Sequence, residues 1–81
     1  MNEPLTGLMR ALERGIVADT ASADALFLIA EEADRMGQAG VAGAIRTTAR
    51  MHRAKVIEHQ ARLAALDGER AYRRTLDPSD Q

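Results

Sequence analysis

Residues 41–67 read VAGAIRTTARMHRAKVIEHQARLAALD, a run without proline whose periodicity decides the fold. At 100° per residue, Val41, Ile45, Thr48, Ala49, His52, Val56, His59, Leu63 and Leu66 fall into one stripe, a three-four spacing kept over three heptads. Such a run makes about 40 Å of helix at about 1.5 Å per residue, the longest element the chain can build.

Working outward, Gly37 to Gly40 reads as a tight turn, because glycine readily takes the left-handed conformation in which helices reverse. Before it, Leu26, Ile29, Ala30, Ala33 and Met36 form the stripe of a second helix, with Asp24, Glu31 and Arg35 on the other side. Glu31 and Arg35 are spaced as an i,i+4 pair. Asp19-Thr20-Ala21-Ser22 offers short polar side chains that can cap that helix, which is predicted to start near residue 21. Further out, Leu5, Leu8, Met9, Leu12 and Ile16 mark a first helix, with Pro4 in its first turn, Asn2 as a cap and Gly15 at its end. On the other side, Glu69 and Arg73 extend the long helix past Gly68 towards Leu76, and residues 77–81 read as a frayed polar tail.

The expected fold is all-α: a short N-terminal helix, then an antiparallel helical hairpin with a long second arm, in one domain over residues 1–76. A mid-length second helix covers only the first part of the third, so His59, Leu63 and Leu66 need cover from helix one or from another chain. The thin core of an 81-residue chain points to the second, a homodimer completing a helical bundle. Ile45, Ala49, His52, Val56, His59, Leu63 and Leu66 are expected to form the seam, whether of the core or of the dimer.

Composition narrows the chemistry. Sixteen alanines and only two prolines favour helix, and the absence of cysteine removes disulfides, thiolate metal sites and cysteine nucleophiles. The longest charge-free run, Met36 to Ile45, is far too short for a bilayer span, and Glu3 stands where a secretory leader would be basic. A cytoplasmic location without membrane contact is the expectation. Residues 1–40 hold seven acids and three bases, residues 41–81 eight bases and five acids, so the halves complement each other within a hairpin.

Both histidines lie in the long stripe, where neutral, partly buried imidazoles need a partner group. If they are buried and neutral, stability is expected to fall below about pH 6. Metal binding is the sharper alternative, but seven residues separate His52 from His59, too far for one ion on one helix, and Glu58 is followed at i+3 by Ala61 rather than His. His52-Arg53-Ala54-Lys55 resembles the His-x-x-Lys of histidine phosphotransfer domains. That likeness implies a phosphoryl acceptor at His52 with Lys55 as counter-charge, though Val56 stands where that family has glycine.

Arg46, Arg50 and Arg53 form an edge with Ile57, a pattern that fits an acidic partner with an apolar anchor. The same edge can follow a phosphate backbone, the basis for a nucleic-acid-binding regulator as the alternative. Helix-turn-helix packing fails over residues 33–45, where Gln38 and Gly43 occupy positions that need apolar side chains. Neither serine lies beside a histidine in this layout, and no strand precedes the glycines. The expectation is therefore a non-enzymatic regulator or adaptor that needs no cofactor and binds a protein partner through helix faces, with Arg46, Arg50, Arg53 and Ile57 as contacts.

Overall fold

The computed structural model describes residues 3–76 and folds them into two helices, α1 (Glu3–Arg35) and α2 (Ala39–Leu76). The Asn2 cap and the 77–81 tail lie outside the described residues. The helices pack antiparallel along their lengths into a rod of 65 × 15 × 15 Å. Among the described residues no helix is long and apolar enough to cross a membrane.

The all-α hairpin is as expected, but the first two predicted helices are one. α1 runs unbroken through Gly15 and through Asp19-Thr20-Ala21-Ser22. Both signals have tertiary uses instead. A Cβ on Gly15 would lie 3.1 Å from Cδ2 of His59, so the missing side chain makes room for that ring. Asp19 spends its carboxylate on α2 rather than on a free backbone N–H.

At the turn, Gly37 takes φ +75°. The Gln38 N–H donates to the Ala33 carbonyl at 2.8 Å and the Gly37 N–H to that of Asp34 at 3.0 Å, a Schellman closure that satisfies the last carbonyls of α1. α2 begins at once, with the Ala42 N–H donating to the Gln38 carbonyl at 2.9 Å. The turn is thus shorter than predicted, and Gly40 belongs to α2.

Each helix presents one row at alternating four- and three-residue steps to the other. On α1 the row runs from Leu5 through Leu12, Asp19 and Leu26 to Ala33, and on α2 from Ala42 through Ala49, Val56 and Leu63 to Arg70. Among the described residues the buried core consists of Met9, Leu12 and five alanines, and no large side chain is fully enclosed. Three of those alanines, Ala30, Ala33 and Ala42, cluster with Ile45 beside the turn, where their size lets the backbones approach closely. Because α1 is continuous, its first turns already lie along the distal part of α2: Leu8 and Leu12 line one groove with Leu66. The overhang from which a dimer was expected is therefore covered within the chain.

Candidate interaction surface

Midway along the seam, Nδ1 of His52 donates to Oδ1 of Asp19 at 2.7 Å, and Nε2 of His59 lies 3.7 Å from Oδ2 of the same carboxylate. One acid thus answers both histidines. The His52 hydrogen bond holds the Asp19 carboxyl below its ordinary value; burial opposes this, and the charges of His52, Lys55 and His59 add to it. Nδ1 of His59 is buried without a hydrogen-bond partner among the described residues. His52 and His59 converge although they are two turns apart, because Asp19 reaches between them. Among the described residues, no group of three potential ligands is placed to hold a metal ion. His52 is engaged across the seam, unlike the solvent-facing histidine of the phosphotransfer family.

The predicted seam residues of α2 all lie on its α1-facing row, with Ala49 fully buried and Ile45, His52, Val56, His59, Leu63 and Leu66 half-buried. Val41 and Thr48 fall outside it and are exposed; Ala42 takes the place beside the turn. Ile29 and Met36, expected in the stripe of the second helix, are exposed too.

Flanking the seam are two unlike faces. The first carries the arginine edge. Arg46 pairs with Asp34 across the turn, and Arg53 stacks its guanidinium 4.3 Å from the Phe27 ring centre and 4.0 Å from Asp24. Arg50 is exposed, and Ile57 is 66% exposed. Between Ile57 and α1 lies a shallow groove of about 310 Å³ lined by Thr20, Ala23, Asp24, Arg53, Val56 and Ile57. The pairing of the α1 acids was only partly foreseeable: Arg46 takes Asp34, whereas Arg35 bonds Glu32 of its own helix in place of the expected Glu31. The role of Phe27 was not anticipated. Its signal was present, since it is the one phenylalanine and lies beside the seam residue Leu26.

The second flank differs in kind. On α1 it consists of Leu8, Ala11, Gly15, Ala18, Ser22, Ala25 and Ile29, again at three-four steps, without a charge. On α2 it begins with Val41, Ala44, Thr48 and Met51, all exposed, and turns charged only from Lys55 onward. Two heptad rows therefore run side by side on α1, one spent on α2 and one left open. No protein family matches this chain, nor does any curated protein or solved structure.

Proposed function

We propose that the protein is a non-enzymatic protein–protein interaction module, a regulator or adaptor, that recognises a protein partner through its arginine flank. The observation that carries this reading is the Ile57 groove, an apolar floor of Val56, Ala23 and Ile57 rimmed by the guanidinium of Arg53 and the carboxylate of Asp24. A partner helix or loop can seat an apolar anchor there and set carboxylates against Arg50 and Arg53, while Arg46, held by Asp34, closes the patch at its turn end. Phe27 pre-orients Arg53, which lowers the ordering cost of a contact made through it. A phosphate-tracking role draws less support from the same residues, because Arg46 and Arg53 already face acids of α1.

The test places a photo-crosslinking amino acid at position 57, and at position 14 as a control, in the native cell. A discrete crosslinked protein is expected at 57 alone and should vanish in the Arg50→Glu/Arg53→Glu variant. A crosslink indifferent to that reversal removes the proposal, and retardation of DNA or RNA that weakens steeply with salt would favour the nucleic-acid reading.

A further inference from the structure

We propose that the flank whose α1 row carries no charge is a self-association surface, on which two copies stack antiparallel as a four-helix bundle about a two-fold axis passing at the level of Ala18 on α1 and of Lys55 and Glu58 on α2.

A two-fold axis requires the surface to match itself when reversed. The α1 row does so about Ala18: Ala18 meets Ala18 of the second copy, Gly15 meets Ser22, Ala11 meets Ala25, and Leu8 meets Ile29. Small residues thus oppose small ones at the centre and large apolar ones oppose each other at the ends, the arrangement that lets two helices approach closely. The α2 row reverses about the midpoint of Lys55 and Glu58, which sets each lysine against the other copy's glutamate, Thr48 against Ala65 and Val41 against Tyr72. Met51 receives the methylene stem of Arg62, and Glu69 is already held by Arg73 of its own chain.

One axis can serve both rows only if their midpoints lie at the same height on the rod. They do. Asp19, next to Ala18, reaches both His52 and His59, which bracket Lys55 and Glu58. This agreement is independent of either row's sequence.

Area points the same way. The chain exposes 5860 Å², whereas a compact protein of 8.8 kDa exposes about 4,800 Å². That excess of roughly 1,000 Å² comes from the rod shape and is spread over all its faces, and it is comparable in size to what one partner contributes to a stable interface. Leu8, Ile29, Val41 and Met51, each at least half exposed, supply its apolar part. The charges of the α2 row, Lys55 and Arg62 against Glu58 and Glu69, balance within a pair of copies, so a second copy satisfies this flank without a partner of opposite net charge.

This surface lies opposite the Ile57 groove, so the two proposals stand or fall separately. Sedimentation and native mass spectrometry on the full chain test it. At about 100 µM the wild type should be a dimer, and Ala18→Glu should raise its Kd by about tenfold or more. Lys55→Glu and Glu58→Lys should each weaken the dimer, because each variant opposes like charges twice. Mixed in equal amounts, they should recover a dimer holding one copy of each, since the mixture pairs opposite charges at both contacts. If a single variant loses helicity on its own, the mixture should regain it together with the dimer mass. Arg50→Glu/Arg53→Glu should leave the dimer unchanged. A wild type that stays monomeric, a dimer indifferent to Ala18→Glu, or a mixture no tighter than its components each overturns the proposal.

Discussion

Beside the turn the seam is made of alanine, and in its middle it is made of Asp19, His52 and His59. The two regions solve different problems. Alanine rows bring the backbones together and bury apolar surface, a non-directional attraction that constrains register through shape alone. The polar middle contributes less burial and fixes the alignment. Only in the observed register does Asp19 lie between two imidazoles; a slip of one heptad leaves it with one, and strands the other in the seam.

The largest effect should come from overfilling the alanine end. Ala42 is fully buried against Ala30 and Ala33, so Ala42→Leu should cost about 1–3 kcal/mol in thermal denaturation. Ala54→Leu, exposed on the outer face of the same helix, should stay within about 0.5 kcal/mol of wild type. Equal effects at the two sites would mean that the alanine end is not closely packed.

Next comes the turn that aligns that end. Gly37→Ala places a Cβ at φ +75° and should cost about 1–2 kcal/mol, with nothing nearby to offset it. Gly40→Ala, within the first turn of α2 and facing open space, should stabilise instead.

The hairpin and its long arm were legible because they rest on periodicity, and the left-handed Gly37 because helix reversal rests on glycine. The continuity of α1 was not. Gly15 and the Asp19-to-Ser22 cluster carry local signals for a helix end and a helix start, and what overrides them is contact with α2, which no window of α1 contains. Likewise His52 and His59 were recognisable as seam residues, while their shared partner was hidden behind its resemblance to a cap. Of the arginine edge, the spacing of Arg46, Arg50, Arg53 and Ile57 was legible; the Phe27 platform and the Asp24 rim depend on how α1 is aligned against α2. The uncharged flank escaped notice for the same reason: splitting α1 at Gly15 cuts its second heptad row in two.

Gly15 offers a smaller test of the polar middle. In helix interiors alanine is favoured over glycine by about 0.8–1.0 kcal/mol. Gly7→Ala meets nothing within 4 Å and should realise most of that gain, whereas Gly15→Ala must push the His59 ring back from 3.1 Å and should realise much less. The difference between the two variants measures how tightly the ring is held. A full gain at Gly15, with the His59 ring resonances unmoved, would show that the ring does not depend on the glycine.

The slightest effect near neutrality, and the one that separates the two regions most cleanly, is the pH dependence of the middle. In the structure Asp19 lies between the two rings, so the titratable group whose environment governs the middle of the seam is its carboxyl. The loss belongs to the acid side. The carboxyl of Asp19 is held below its unfolded value of about 3.9, so the stability it contributes is fully present above that pH and disappears as pH drops through its lower, folded value. Asp19→Asn should remove that acid limb and lower the melting temperature at neutral pH, where the carboxylate is the acceptor for His52. Ala42→Leu should shift the whole profile downward without changing its shape. A profile that Asp19→Asn leaves unaltered below pH 4 would show that the carboxylate does not hold the middle of the seam.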